Sequence, residues 1–176
     1  LQYDCMKELA WPQAFTKDQA RELIRECRDL GIEPVPMFNQ LGHATASRNC
    51  YGKHVVLDQN PALEHLFTPD GWAWDIYSPR VKKLLKEMRL ELYDLFGPGE
   101  FIHIGCDEAD YYILNEDTRK DIGNYLGELT REVASEGRRP MMWMDMLLEE
   151  VPESSYRYFG TATAEEVVER RSKLAP

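Results

Sequence analysis

The chain has 176 residues, of which 43% are hydrophobic and 30% are charged. This composition is typical of a globular protein with a hydrophobic core, and it excludes a disordered chain. The 31 acidic residues outnumber the 21 basic residues and give a net charge of −10. We therefore expect neither nucleic acid nor an anionic membrane as a partner, because the chain has no basic stripe to meet phosphates. A neutral or cationic ligand fits this charge better.

The four cysteines, at positions 5, 27, 50 and 106, predict neither a zinc site nor a disulfide framework. Their spacing contains no C-x-x-C pair and no Cys/His metal pattern, so we interpret them as reduced structural thiols. The sequence has no signal-peptide core and no long apolar run, which together with the unpaired thiols favours a cytoplasmic location. The chain begins at Leu1 and not at a methionine, so we expect the natural N-terminus to lie upstream.

Four helices are predicted by residues that cap helix ends and by apolar side chains that recur at helical spacing. A Ser or Thr before the first turn satisfies free backbone N–H groups, and a glycine after the last turn ends the helix. On these signals we predict helices from Thr16 to Gly31, from Ser78 to Gly97, from about Ile122 to Gly137, and from Thr163 onward, with a further short helix near Asn60–Phe67.

Short apolar stretches between these helices predict β-strands. Strands that alternate with helices form parallel β/α units, as in a (β/α)8 TIM barrel or an open doubly wound sheet. Because no glycine-rich phosphate loop follows any strand, whereas polar residues do, we favour an α/β fold of the TIM-barrel type. At most five of the eight barrel strands are predicted, at 32–38, 100–105, 140–146 and 155–159, with the end of another at Leu1–Asp4.

Polar side chains follow three of these strands, at the end of a barrel where TIM-barrel active sites lie. The stretch "HIGCDEAD" (103–110) contains two adjacent acids, Asp107 and Glu108. An isolated pair of acids is more often a solvated strand end than a catalytic site. Polar groups beside an aromatic wall, however, are what a sugar ring binds to. The other two strands supply Asn39 and His43, and Trp143 and Asp145.

The connection from Ala44 to Tyr77 shows little periodicity beyond the short helix. It contains Tyr51, Trp72 and Trp74. Long connections in compact domains usually carry function, so we expect this segment to contribute to the site.

These residues carry a family resemblance. "FIHIGCDEADYY" resembles the H-x-G-[GC]-D-E motif of glycoside hydrolase family 20, the β-N-acetylhexosaminidases, and its cysteine is most similar to the hexosaminidase D type. "PMFNQLGH" and "MMWMDML" resemble that subgroup's motifs after strands three and five. The resemblance implies that residues 1–176 are a partial catalytic TIM-barrel domain covering about strands 2–6, with strands 1, 7 and 8 absent. The open sheet edges of such a chain would permit self-association.

The resemblance also implies an activity and the residues that perform it. The expected enzyme is a retaining exo-β-N-acetylhexosaminidase that removes terminal N-acetyl-hexosamine from glycans, with the substrate's acetamide as nucleophile and with no cofactor or metal. Glu108 matches the general acid/base, and Asp107 matches the carboxylate that orients the acetamido group. His43 matches a histidine that supports the acid, and Trp143 matches a wall of the acetamido pocket. The remaining substrate-binding candidates are Asn39, an amide where most members carry a carboxylate, Asp145, and Tyr158 for a tyrosine from strand six.

Two other classes stay open on the sequence alone. A metal-dependent barrel hydrolase would use His43, His103 and Asp107 as ligands. An inactive or non-catalytic sugar-binding fragment would result if a barrel with open edges has lost the walls of its pocket. Metal analysis of the purified protein tests the first class, and comparison of its activity with that of a longer gene product tests the second.

Overall fold

A computed structural model of the chain describes residues 1–10, 12–45, 55–147 and 163–174. The predicted strand at 155–159, together with Tyr51 and Tyr158, lies outside the described residues.

The four helices predicted from capping residues are confirmed. The hydroxyls of Thr16 and Thr163 each accept a backbone N–H from the residue three positions later, and Gln19 and Glu166 complete both capping boxes. Ser78 caps its helix through its hydroxyl. The described helices are α1 (Lys17–Asp29), α2 (Val55–Gln59), α3 (Pro79–Phe96), α4 (Asp110–Ile113), α5 (Glu116–Arg119), α6 (Asp121–Ser135) and α7 (Ala164–Ser172), with 3-10 turns at Lys7–Leu9, Pro61–Leu66 and Asp145–Leu147.

The described sheet is parallel, as the alternation of strands and helices predicts. Strand β1 (Phe101–His103) pairs in parallel with β2 (Arg139–Met141). The segment 36–40 runs along the other edge of β1, where the N–H of Phe38 donates to the carbonyl of His103 at 2.9 Å. The three segments follow one another in chain order, with α3 and α6 as the connections between them, which is the arrangement of consecutive β/α units in a barrel. The described residues form an arc of such units and do not close a barrel.

The stretch 32–38, predicted as a strand, forms a single parallel bridge between Met37 and His103. The N–H of Phe38 and the carbonyl of Pro36 both face β1, and in an extended chain Pro34 faces the same way. Both prolines lack the N–H that this edge requires, so the ladder cannot extend toward the N-terminus. The predicted strand was therefore too long.

Two further strand predictions are corrected. The stretch 140–146 is a strand only in its first two residues, because the chain then curls into the 3-10 turn at Asp145–Leu147. The stretch Leu1–Asp4 is not a strand. The backbone N–H of Asp4 instead donates to the carboxylate of Glu91 on α3, so this segment is bound to a helix and not to a neighbouring strand.

The hydrophobic core lies between the sheet and the helices. Ile102 and Ile104 are completely buried and pack with apolar residues of α6. The alternate side chains face the other way, and Met37 and Met141 on that face are 50% and 44% exposed. In a TIM barrel this second face would line the interior. None of the described helices is long and apolar enough to span a membrane.

The charged residue Arg89 lies inside this core and connects α3 to the end of the first extended segment. Its side chain is 1% exposed and donates to the side-chain oxygen of Gln40 at 2.8 Å. It also forms ion pairs at 2.7 Å with Glu132 and Glu136 of α6. The hydroxyl of Tyr125 donates to the backbone carbonyl of Gln40 at 2.6 Å. Helices α3 and α6 thus fix Gln40, three residues before His43.

Candidate active site

The loop that follows β1 has an unusual backbone. Gly105, Cys106 and Glu108 have φ angles of 66°, 71° and 46°. This left-handed region suits glycine but costs other residues roughly 1–2 kcal/mol each. Strain of this kind concentrates at functional sites, where surrounding contacts hold it in place. The Cys106 side chain is completely buried, and burial raises the pKa of its thiol.

The two adjacent acids and the predicted histidine are brought together. His43 Nε2 lies 3.3 Å from Asp107 Oδ2 and 3.1 Å from Glu108 Oε2. Strand β1 ends at His103, four residues before Asp107, so the acids are free of the alternation that would send neighbouring side chains to opposite faces. His43 itself has a φ of 52°. The proximity of these three side chains, expected from their places after two barrel strands, is confirmed.

Asp145 lies directly against this loop. Its Oδ2 accepts the backbone N–H of Glu108 at 2.9 Å. The 3-10 turn at Asp145–Leu147 brings this carboxylate to the end of β1. The predicted contact of Asp145 with substrate stays a prediction, because the bond in the structure is to the backbone of Glu108.

The turn that carries His43 packs against the acid-bearing loop too closely for a side chain at two glycines. A Cβ on Gly105 would lie 2.0 Å from Asn39 Oδ1, and a Cβ on Gly42 would lie 1.9 Å from the carbonyl oxygen of Asp107. Asn39 Oδ1 is buried and accepts no hydrogen bond from the described residues. A cavity of about 330 Å³ opens beside this turn, and its lining includes Asn39 and His43.

Trp143 lies at the rim of the sheet, beside His103. Its backbone N–H donates to the carbonyl of Gly105 at 3.0 Å, and the residue is 50% exposed. The ring centroids of Trp143 and His103 are 4.7 Å apart. An exposed aromatic face at this rim is consistent with the predicted wall of a sugar pocket.

His103 contacts the backbone of the loop that carries the two acids. Its Nδ1 accepts the backbone N–H of Gly105 at 3.1 Å. Burial lowers its pKa, which favours the neutral imidazole, although the charge of Asp107 acts in the opposite direction. Within the described ranges no group of three or more His, Cys, Asp or Glu side chains is arranged to hold a metal ion.

Two residues of the site were not identified from the sequence. Trp72, noted only as part of a long connection, donates its indole N–H to the carbonyl of Glu108 at 2.8 Å. Its turn signal, "TPDGW", is visible in the sequence, but its contact with Glu108 is not. Asp110 lies at the start of α4. Burial raises its pKa to about 6, with further contributions from the charges of Glu108, Asp70 and Asp145.

Comparison with known proteins identifies a family that matches most of the chain. The chain matches the model of the glycosyl hydrolase family 20 catalytic domain over residues 3–169. A lacto-N-biosidase from Bifidobacterium bifidum is 21% identical over 159 residues, covering 81% of this chain and 14% of that protein. A β-hexosaminidase from Akkermansia muciniphila is 22% identical over 148 residues, covering 74% of this chain and 29% of that protein. The chain therefore spans less than a third of the length of these relatives.

A solved structure has the same fold. The crystal structure of a β-N-acetylhexosaminidase from Bacteroides fragilis superposes with a TM-score of 0.57 at 22% identity, covering 77% of this chain and 28% of that one. This likeness shows the fold, which is TIM-barrel-like. Because the family model extends over nearly the whole sequence, the resemblance stated from the motifs is confirmed, and the chain belongs to glycosyl hydrolase family 20.

Proposed function

We propose that the protein is a retaining exo-β-N-acetylhexosaminidase that removes terminal N-acetylglucosamine or N-acetylgalactosamine from glycans by substrate-assisted catalysis. The observation that carries the proposal is the position of the Asp107 and Glu108 carboxylates against a single nitrogen of His43. The names of the two curated relatives, a lacto-N-biosidase and a β-hexosaminidase, support a hexosamine-containing glycan as the substrate class.

The position of the two acids favours the acetamide of the substrate as nucleophile. A retaining glycosidase with a protein nucleophile needs two carboxyl groups about 5–5.5 Å apart on opposite sides of the scissile bond. Asp107 and Glu108 are sequence neighbours that reach the same imidazole from the same loop, so they are poorly placed to flank a sugar ring. In the substrate-assisted route of this family, the protein supplies one proton donor and one orienting anion.

In the proposed first step, the acetamide oxygen attacks the anomeric carbon while Glu108 protonates the departing glycosidic oxygen. Asp107 accepts a hydrogen bond from the acetamide N–H and offsets the positive charge of the oxazolinium ring. In the second step, Glu108 takes a proton from water as that water attacks the anomeric carbon and opens the ring. Two inversions at this carbon give net retention.

His43 and the surrounding residues are proposed to prepare this chemistry. His43 Nε2 lies within hydrogen-bonding reach of both carboxyl groups, 3.3 Å from Asp107 Oδ2 and 3.1 Å from Glu108 Oε2, so one imidazole can hold the two acids in position. Asp107 Oδ1 is buried and has no hydrogen-bond partner among the described residues, so a small turn of the carboxyl group would supply the acceptor that the acetamide N–H requires. Substrate contacts by Trp143, Asn39, Asp145 and Tyr158 belong to the same proposal.

The test compares aryl β-glycosides in the full-length protein. The 4-nitrophenyl glycosides of N-acetylglucosamine or N-acetylgalactosamine should be cleaved, whereas the matching sugar with a plain 2-hydroxyl should not. A thiazoline that mimics the cyclic intermediate should inhibit the parent enzyme and bind Asp107→Asn much more weakly. Equal turnover of the 2-acetamido and 2-hydroxyl sugars, or a covalent glycosyl ester on any carboxylate, would overturn the mechanism.

Glu108→Gln tests the role of the acid itself. The amide keeps the shape of the side chain but cannot donate the required proton, so turnover of a substrate with a poor leaving group should fall about 10²–10⁴-fold. Substrate binding should remain close to that of the parent. Near-normal turnover of such a substrate would remove Glu108 from the mechanism.

A further inference from the structure

We propose that Trp72 is a positioning residue for Glu108, and that its indole N–H holds the backbone of the acid in the conformation that directs the carboxyl group at the leaving group. This inference rests on the proposed function, because it concerns the role of Glu108 as a general acid. Trp72 lies 36 positions before Glu108 in the sequence, and no sequence motif connects the two residues.

The first argument is that Glu108 is strained and held on both sides. Its φ of 46° is left-handed, a region that non-glycine residues keep only when their surroundings impose it. The N–H of Glu108 donates to Asp145 Oδ2 at 2.9 Å, and its carbonyl accepts the indole N–H of Trp72 at 2.8 Å. These two side chains fix the two peptide groups that flank the Glu108 Cα, and therefore fix the direction in which its side chain leaves the backbone.

The second argument is that Trp72 also contacts the histidine partner of the acids. The ring centroids of Trp72 and His43 are 4.3 Å apart, with the planes inclined by 56°. The backbone carbonyl of Trp72 accepts the N–H of Ala44 at 2.9 Å. One residue therefore supports both the acid and the turn that carries its histidine, so displacement of Trp72 would move both of them.

The third argument is that Trp72 is itself held firmly. Its backbone N–H donates to Asp70 Oδ1 at 3.1 Å, and the hydroxyl of Thr68 donates to the same oxygen at 2.6 Å. The next two residues, Ala73 and Trp74, are 0% and 2% exposed. The turn from Thr68 to Trp74 is thus buried in the core at Ala73 and Trp74, and two hydrogen bonds to Asp70 hold the rest of it in place. A donor on such a rigid support keeps its direction, as positioning requires.

The same turn offers a matched control. Trp74 also donates its indole N–H to a backbone carbonyl, that of Asn39 at 3.0 Å, and its ring stacks on Phe67 in the core. Trp74→Phe and Trp72→Phe each remove one indole-to-carbonyl bond and keep an aromatic ring. Only the bond of Trp72 reaches Glu108, so a loss of stability alone would affect both variants, whereas misalignment of the acid would affect only Trp72→Phe.

The experiment measures kcat for a series of aryl N-acetyl-β-glucosaminides, from a dinitrophenyl leaving group to unsubstituted phenol, in the full-length protein. A good leaving group needs little help from an acid, whereas a poor one depends on it. Misplacement of a reacting group by about 1 Å can cost about 10²-fold in rate. We expect Trp72→Phe to lose about 10–100-fold with phenol and little with dinitrophenol, and Trp74→Phe to melt at a lower temperature with no dependence on the leaving group.

A second pair of variants covers the case in which Trp72→Phe does not fold. Asp70 is exposed and accepts the backbone N–H of Trp72. Asp70→Ala removes this acceptor, whereas Asp70→Asn retains an acceptor oxygen. The alanine variant should reproduce the selective loss with poor leaving groups, and the asparagine variant should restore the rate. An equal loss across the whole series in both Trp72→Phe and Asp70→Ala would refute the positioning role and leave the proposed function intact. A parent enzyme that cleaves none of the N-acetyl substrates would refute both.

Discussion

Gly42→Ala probes the contact between the two loops that form the site. The added Cβ would lie 1.9 Å from the carbonyl oxygen of Asp107, 3.0 Å from the carbonyl carbon of Glu108 and 3.1 Å from the N of Ala109. All three neighbours are backbone atoms, so no flexible side chain can move away. The shortest contact, at 1.9 Å, must open by about 1.5 Å to reach an ordinary van der Waals distance, and that movement separates His43 from the two acids.

The size of the effect follows from this displacement. Overpacking of a closely packed region costs about 1–3 kcal/mol of unfolding free energy, which for a domain of this size lowers the melting temperature by about 2–4 °C per kcal/mol. The catalytic effect should be larger, since a displacement of about 1 Å at the reacting groups can reduce the rate about 10²-fold. Thermal unfolding and kcat on an aryl N-acetyl-hexosaminide measure the two effects separately.

Gly137→Ala is the matched control for Gly42→Ala. Gly137 has a φ of 83°, and a Cβ there would have no atom within 4 Å. Its replacement should cost about 1–2 kcal/mol through backbone strain alone, with kcat unchanged. If Gly42→Ala behaved like Gly137→Ala in both assays, or left both properties unchanged, the close approach of the two loops would not matter to the site and this reasoning would fail.

Three further results are expected. Arg89→Met should lower the unfolding free energy by about 3–5 kcal/mol, because it removes the guanidinium that pairs with the nearly buried carboxylate of Glu136 at 2.7 Å and leaves it only the Tyr93 hydroxyl at 2.9 Å and Lys86 at 4.0 Å; a change below 1 kcal/mol in urea unfolding would contradict this. Asp110 has a pKa raised to about 6 in the folded chain, so the unfolded chain releases this proton at lower pH and folding loses stability as pH rises from about 4 through 6. Asp110→Asn should therefore stabilise the protein more at pH 7 than at pH 4, and equal gains at both pH values would refute the assignment. The 176-residue chain alone should associate, since Met37 and Met141 are exposed on its sheet; a melting transition independent of concentration, with a monomeric mass by sedimentation, would argue against this.

The four helices α1, α3, α6 and α7 could be predicted accurately because their ends depend on residues within a few positions of one another. Thr16 and Gln19, for example, form their capping box from side chains three residues apart. Strand lengths depend on the neighbouring strand, which the sequence does not reveal. The prolines at 34 and 36 are visible in the sequence, but the edge of the strand that they face could be identified only from the hydrogen bond of Phe38 to β1.

In the candidate site, too, some contacts could be predicted from the sequence and others could not. Barrel geometry brings residues after successive strands to one rim, and for this reason His43, Asp107 and Glu108 could be expected to meet. The bonds of Asp145 and Trp72 to the backbone of Glu108 could not be expected, because backbone groups carry no sequence signal of their own. Trp72 belongs to a connection between elements, where position is set by tertiary contacts and not by any repeating pattern.

The buried thiol of Cys106 makes the acid-bearing loop observable. The thiolate is the reactive form of cysteine, and Cys106 is completely enclosed with a raised pKa, so alkylating reagents cannot modify it while the loop is closed. The rate at which Cys106 is alkylated therefore reports how often the segment that carries Asp107 and Glu108 opens. An inhibitor that stabilises the closed loop should lower this rate of alkylation, even in a variant that has lost all turnover.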